Sequence, residues 1–130
     1  MEPSANGIVT RRSNHSVDET AARLQAALEA KGVKVFALVD HSGEAKKAGL
    51  YMPNTKLLIF GNPAAGTPLM LSAPSTAIDL PLKILLAEDG EGRVSVSWND
   101  PDYLQRRHGF DPGLMANIAV VEKIAVAIVS

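Results

Sequence analysis

Apolar residues recur along this chain at spacings that predict both helices and strands. The clearest helix is predicted over Ser16–Lys31, where Ser16 and Glu19 have the spacing of a capping box. Its end is predicted at Lys31-Gly32, because a lysine interacts favourably with the last carbonyl groups of a helix and a glycine readily adopts the left-handed conformation that ends it. One apolar stripe runs along it at helical spacing: Val17, Ala21, Leu24 and Leu28.

Five short runs predict strands, the first over Gly7–Ser13. Val33–Asp40 and Thr55–Gly61 carry apolar residues at consecutive positions, which is typical of interior strands covered on both faces. Ile84–Glu88 and Arg93–Asn99 predict a hairpin around an Asp-Gly-Glu-Gly turn. The second arm alternates strictly between a buried and a solvated face, with its apolar residues at Val94, Val96 and Trp98.

A capping side chain followed by proline predicts the start of several shorter helices. Thr67-Pro68, Asp100-Pro101 and Asp111-Pro112 each have this form. Asn62-Pro63 has it too, but we interpret it as a turn before the Thr67 cap. Pro112–Val129 is apolar nearly all round, which predicts a helix that is sandwiched or lies in an interface. A strand remains the alternative for its tail.

Together these elements predict an α+β fold with a mixed sheet of about five strands. We expect the helices Ser16–Lys31 and Pro112–Val129 to pack on one face, with short helices capping the connections. The 130 residues are one domain's worth of chain, so we expect a single domain over 7–130 after a frayed segment over 1–6. The predicted core comprises Leu24, Leu28, Val35, Leu38, Leu57, Ile59, Phe60, Leu82, Ile84, Val94, Val96, Trp98, Leu114, Ile118 and Val121.

Composition and charge narrow the classes of function. With 46% hydrophobic and 21% charged residues, the chain is neither disordered nor fibrous. A net charge of -1 creates no strong field for nucleic acid or acidic membrane, so we expect neither as a partner. The absence of cysteine excludes disulfides, thiolate nucleophiles and cysteine-ligated metal centres, and no cofactor is expected. The acidic start predicts no signal peptide, and hence a cytoplasmic location.

Several short segments between about Gly7 and Phe110 form a pattern that extends over most of the chain. They are Val35-Phe36-Ala37 with Asp40-His41, Ala45 with Gly49-Leu50, Phe60-Gly61-Asn62-Pro63 with Gly66-Thr67-Pro68-Leu69-Met70, Asp79-Leu80-Pro81-Leu82-Lys83 and Trp98-Asn99-Asp100-Pro101. Together these segments resemble a known family, the domain-of-unknown-function family 302. The resemblance implies a compact α+β fold, no established activity and no accepted catalytic residues.

A candidate ligand site follows from strand geometry. If the strands that end at Asp40 and Gly61 run parallel, their carboxyl ends lie side by side, where ligands tend to bind. Backbone amides of the 61–67 loop would then cradle an anion. The alternative is a tight strand-to-helix turn in which Asn62 bonds its own backbone, since no phosphate-loop spacing is present. The ligand-binding candidates are Asp40, His41, Glu44, Gly61, Asn62, Gly66 and Thr67.

Two chemical constellations have weaker support. His41 and Glu44 suit a divalent metal together with His15 or His108, but no metal-ligand spacing is present, so no metal ligand is assigned. Ser42 follows His41, yet neighbours in sequence rarely reach the geometry of a nucleophile and its base, so no catalytic residue is assigned. The alternative is that this segment ends a strand and caps the following turn.

Two hypotheses of function result. The preferred one is a ligand- or partner-binding module that acts as a homodimer, because the apolar last helix and two-sided strands leave more apolar surface than one small domain hides. An unknown small molecule is then a potential partner. The alternative is a small enzyme or divalent-metal-binding protein that uses Asp40, His41, Glu44 and Asn62.

Overall fold

A computed structural model describes residues 5–130, and its strands form one five-stranded sheet. The sheet has the order β1-β5-β4-β3-β2, and every strand pair within it is antiparallel. The predicted α+β class and the five strands are confirmed, but the sheet is antiparallel rather than mixed. Residues 1–4 of the predicted frayed segment lie outside the described residues. The strands are β1 (Ile8–Ser13), β2 (Lys34–Asp40), β3 (Thr55–Gly61), β4 (Leu82–Glu88) and β5 (Val94–Asn99).

Helices occupy the connections between the strands and the end of the chain. The α-helices are α1 (Val17–Ala30), α2 (His41–Lys47), α3 (Pro63–Ser72), α4 (Pro101–His108) and α5 (Val120–Val129). Two 3₁₀ helices, Pro74–Ile78 and Pro112–Asn117, follow α3 and α4.

The first helix confirms its predicted bounds through its caps. Ser16 Oγ accepts the amide of Glu19 at 3.0 Å, and Lys31 closes the last turn. Only this half of the predicted capping box is seen, because the Glu19 carboxylate instead contacts His15 Nδ1 at 2.7 Å. The local signal therefore places the helix correctly even though one of its two capping bonds is replaced.

The third helix begins at Pro63 and not at Pro68 as predicted. Asn62 is its N-cap, and Asn62 Oδ1 accepts the amide of Ala64 at 2.9 Å. Pro68 lies inside the helix, where its missing N–H removes one backbone hydrogen bond. Of the two candidate caps, the earlier one therefore initiates the helix.

The last segment is helical, as predicted, but it is not one continuous α-helix. Its first part, Pro112–Asn117, is 3₁₀, and α5 starts only at Val120. Among the described residues, the stretch Pro112–Val129 is long and apolar enough to cross a membrane by length and composition alone. The α part nevertheless buries Val121, Ile124 and Ile128 in the core, and the core helix of a domain meets the same criterion.

The core lies between one face of the sheet and the pair α1 and α5. Both helices pack on this face, as predicted, and against each other. Of the predicted core, the buried members are Leu24, Leu28, Phe60, Leu82, Ile84, Val94, Val96, Trp98, Ile118 and Val121.

Two further core predictions fail because of where β2 lies. We expected Val33–Asp40 to be an interior strand, but β2 is the edge of the sheet. Val35 and Leu38 are consequently 39% and 40% exposed. Three other predicted core residues, Leu57, Ile59 and Leu114, are only partly buried.

The alternation of buried and solvated residues in β5 generates a prediction about stability at Trp98. This side chain is 4% exposed, and its Nε1 has no hydrogen-bond partner among the described residues. Trp98→Ala should lower the free energy of unfolding by about 3–5 kcal/mol, because it leaves a large cavity. Trp98→Phe should cost clearly less, since it keeps an aromatic ring and removes the unpaired N–H. Urea denaturation measures both. A loss below about 1 kcal/mol for the alanine variant would contradict the buried position.

Candidate functional site

The seven ligand-binding candidates divide between opposite ends of the sheet. Because β2 and β3 are antiparallel, Asp40 pairs with Lys56, whereas Gly61 pairs with Lys34. The strand positions of Lys56 and Gly61 are roughly 17 Å apart at the usual rise of a strand. The expectation of one shared rim is therefore wrong. Asp40, His41 and Glu44 lie at one end, and Gly61, Asn62, Gly66 and Thr67 lie at the other.

At the first end, Asp40 acts as the N-cap of α2. Its Oδ1 accepts the amide of Gly43 at 2.9 Å and the hydroxyl of Ser42 at 2.8 Å. These two hydrogen bonds, the amide first, lower the pKa of the Asp40 carboxyl below its ordinary value. His41 is exposed, and Glu44 forms an exposed ion pair with Lys47 at 3.2 Å. The alternative interpretation of this segment, a strand end that caps the next turn, agrees with this geometry.

The three histidines have separate surroundings. His15 contacts Glu19 and the backbone carbonyl of Ser130, and His108 contacts Asp79. Within residues 5–130, no group of three histidine, aspartate or glutamate side chains is close enough to hold a metal ion. The structure therefore does not bring His41 and Glu44 together with His15 or His108.

Ser42 connects α2 to β3. Besides its bond to Asp40, its hydroxyl oxygen accepts the amide of Thr55 at 3.0 Å. No described imidazole is hydrogen-bonded to it. Its contacts are those of a structural side chain.

At the second end, a cavity of about 510 Å³ opens beside α3. All four candidates from this end line it: Gly61, Asn62, Gly66 and Thr67. Most of the remaining wall is apolar, and its main side chains are Val33, Phe36, Phe60, Met70, Leu80 and Ile118.

The loop amides at this end are not free to cradle an anion. The amide of Ala64 bonds Asn62 Oδ1, and the amides of Ala65 and Gly66 bond the Asn62 carbonyl, each at 2.9 Å. Asn62 thus bonds its own backbone, which was the alternative to the anion cradle. The predicted cradle is wrong because the start of α3 uses these donors itself.

Two polar side chains remain available at the cavity. Lys31 and Thr67 line it, and neither Lys31 Nζ nor Thr67 Oγ1 forms a hydrogen bond or ion pair with any described residue. Asn117 also lines the cavity, but its amide donates to the Ala65 carbonyl at 3.0 Å. The cavity therefore offers a large apolar wall, one hydroxyl and one cation.

Several lining residues were missed because they come from distant parts of the chain. Lys31 ends α1, Phe36 lies in β2, Leu80 precedes β4 and Val120 begins α5. No spacing in the sequence connects these positions. For Phe36 and Val120 the one signal was the excess of apolar residues in β2 and in the last helix, and Lys31 and Leu80 carried none.

Comparisons with known proteins agree with this fold. The family model described as "Domain of unknown function DUF302" matches residues 9–129. A crystal structure described as an uncharacterized conserved protein DUF302 from Bacillus stearothermophilus superposes with a TM-score of 0.77 at 21% identity. The superposition covers 96% of this chain and 97% of that one. At this identity the likeness concerns the fold alone.

Curated relatives share more sequence over part of their length. The protein named fluoride-specific ion channel FluC 1 of Brucella suis biovar 1 (strain 1330) is 45% identical over 115 residues, which are 88% of this chain and 44% of that protein. The protein of the same name from Brucella abortus biovar 1 (strain 9-941) is also 45% identical, over 42% of its length. The chain thus spans less than half the length of these relatives.

The lowered pKa of Asp40 generates a prediction about acid stability. Because the folded pKa lies below the ordinary one, the cap stabilises the fold above the ordinary aspartate pKa, and this stability is lost as the pH falls through the folded pKa. Asp40→Asn keeps an acceptor but cannot ionise. It should melt lower than the parent at neutral pH, and the difference should close on acidification. Melting temperatures followed by circular dichroism against pH measure this, with Glu44→Gln as the exposed control. A difference independent of pH would contradict it.

Proposed function

This chain belongs to the family described as domain of unknown function DUF302, and we propose that it is a ligand-binding module whose site is the cavity beside α3. One observation carries the proposal: four of the seven candidates and apolar side chains from several distant segments line a single cavity of about 510 Å³. Binding sites for small molecules commonly have volumes of about 300–1,000 Å³ and mostly apolar walls with a few polar groups.

The lining favours a small apolar molecule with one anionic end. Burial of apolar ligand surface is favourable by about 25 cal/mol per Å². Lys31 supplies a cation at the rim and Thr67 a hydroxyl, and both lack partners among the described residues. A carboxylate or sulfonate next to these groups would satisfy both, while the body of the ligand fills the apolar part.

We further propose that the module is a homodimer joined through the β2 edge. Val35, Phe36 and Leu38 are 39%, 44% and 40% exposed along this strand. An edge strand presents backbone donors and acceptors to another chain, and a two-fold axis near Ala37 would pair β2 with itself in antiparallel orientation. Such pairing would cover these three apolar side chains on both copies. A cytoplasmic location and the absence of a nucleic-acid partner remain predictions.

The curated relatives bear on the kind of larger protein in which this module occurs. They are named as fluoride-specific ion channels, and this chain matches less than half of each. The segment of the described chain that meets the criteria for a membrane span, Pro112–Val129, contributes its α part to the core. We therefore propose that the matched portion of these relatives is a module distinct from their conducting part, and that this chain supplies the same module. The predicted lack of membrane contact remains a prediction.

The alternative function, a small enzyme or metal-binding protein built on Asp40, His41, Glu44 and Asn62, has less support. Asn62 lies at the opposite end of the sheet from the other three. Asp40 is also occupied as a helix cap, and Glu44 pairs with Lys47.

Occupancy of the cavity can be tested at Gly66 with anilinonaphthalene sulfonate, an apolar dye with one anionic group. A Cβ at Gly66 would meet Leu80 Cδ1 at 3.6 Å, an ordinary contact, so Gly66→Ala should fold and bind as the parent does. Gly66→Phe extends a ring into the cavity and should weaken dye binding at least about ten-fold, or 1.4 kcal/mol. Lys31→Gln should weaken it about three-fold, as expected for an exposed ion pair. Fluorescence titration measures all three, and equal affinity of Gly66→Phe and parent would refute the site.

The dimer can be tested at Leu38. Leu38→Lys places like charges near the two-fold axis and should convert the dimer to a monomer without unfolding it, because this side chain is already 40% exposed. Tyr51→Lys is the matched control, since Tyr51 is 91% exposed and lies outside β2. Light scattering during size-exclusion chromatography measures the mass. If the parent chain has the mass of a monomer at high concentration, the proposed dimer is wrong and the cavity proposal is unaffected.

A further inference from the structure

Three side chains near the end of α4 form a continuous Ser–His–Asp hydrogen-bond chain. Ser75 Oγ lies 2.7 Å from His108 Nδ1, and His108 Nε2 lies 2.5 Å from Asp79 Oδ2. The His108 side chain is only 3% exposed. The 3₁₀ helix Pro74–Ile78 and its C-cap supply the serine and the aspartate.

The aspartate is held in place independently of the histidine. Arg107 donates to Asp79 Oδ2 at 3.0 Å, and the Asp79 side chain is 14% exposed. A carboxylate at Nε2 favours the tautomer with its proton on that nitrogen, which leaves Nδ1 as the acceptor for the Ser75 hydroxyl. Common hydrolase triads use the two ring nitrogens in the opposite order, but either nitrogen of imidazole can accept a proton.

We infer that Ser75 is a nucleophile that takes acyl groups from small esters. Ser75 Oγ attacks the carbonyl carbon and its proton passes to His108 Nδ1. The bond between that carbon and the alcohol oxygen then breaks, and the departing alcohol takes the proton. Water attacks the acyl-serine in the same way, so one ester and one water give one carboxylic acid and one alcohol, and Ser75 is regenerated.

The surroundings of Ser75 favour an apolar acyl chain. Residues three apart in a 3₁₀ helix lie on the same side, so Ile78 lies beside Ser75. Ile78 is 72% exposed. None of these residues lines the cavity beside α3, so this activity goes beyond the proposed function and is independent of it.

A fluorophosphonate probe, which reacts with activated serines, tests the nucleophile in the full chain. We expect one adduct, mapped by peptide mass spectrometry to Ser75 and absent in Ser75→Ala. His108→Gln should slow labelling at least about hundred-fold, because the general base is lost. Ser72→Ala is the matched control: Ser72 is exposed in the adjacent helix, but its hydroxyl accepts the Asp111 amide and has no imidazole partner. This variant should label like the parent.

A second readout does not depend on the stability of the His108 variant. Since the chain has no cysteine, Ser75→Cys introduces its only thiol. At neutral pH this thiol should react with iodoacetamide about ten-fold faster than the thiol of Ser72→Cys, because the imidazole favours the thiolate. Equal alkylation of the two variants, or a fluorophosphonate adduct that forms as fast in His108→Gln as in the parent, would overturn the proposal and leave the three side chains as a structural anchor.

Discussion

Burial of one sheet face under α1 and α5 is the interaction on which the rest of the structure depends. Leu24 and Leu28 of α1 and Ile124 of α5 are almost completely buried, as are Ile84 and Leu86 of β4. β2 is an edge strand of this sheet, and its side chains Val35, Phe36 and Leu38 are 39%, 44% and 40% exposed. Along the strands the cover is limited as well, because α1 ends at its C-cap Lys31 and α5 begins only at Val120. The cavity lies between these two helix ends, and the exposed edge of the sheet lies at β2.

The antiparallel order then decides which residues can meet. Successive antiparallel strands end at opposite edges of a sheet, so the polar groups after β2 and after β3 are separated by a strand length. The length of the connection did not decide this order. Residues 41–54 lie between β2 and β3, which is enough chain for either a crossover to a parallel strand or a reversal to an antiparallel one. The order depends on how the strands pair, which no local pattern in the sequence records.

The start of a helix could be predicted from the sequence where the segment offers a single candidate N-cap residue. Ser16 and Asp100 cap helices at the predicted residues, and the alternation of β5 placed Trp98 in the core. The prediction failed where the outcome depends on distant neighbours. Asn62 and Thr67 are both capping residues followed by proline, and the modestly better capping by asparagine does not by itself select between them. Consecutive apolar residues in β2 looked like an interior strand, but its place at the edge is set by the pairing of other strands.

The hydrogen-bond chain of Ser75, His108 and Asp79 shows why position in the fold carries more information than residue type. If its task were only to anchor α4 to the preceding 3₁₀ helix, the ion pair between Arg107 and Asp79 and the bond between His108 and Asp79 would achieve it. Ser75 contributes to neither of these contacts with Asp79, yet its hydroxyl is held on the remaining nitrogen of a buried imidazole. Ser75 itself is exposed, so water competes for this bond and its net stabilisation is small. Anchoring therefore does not require the bond between Ser75 and His108, and this bond involves a serine that is exposed to solvent.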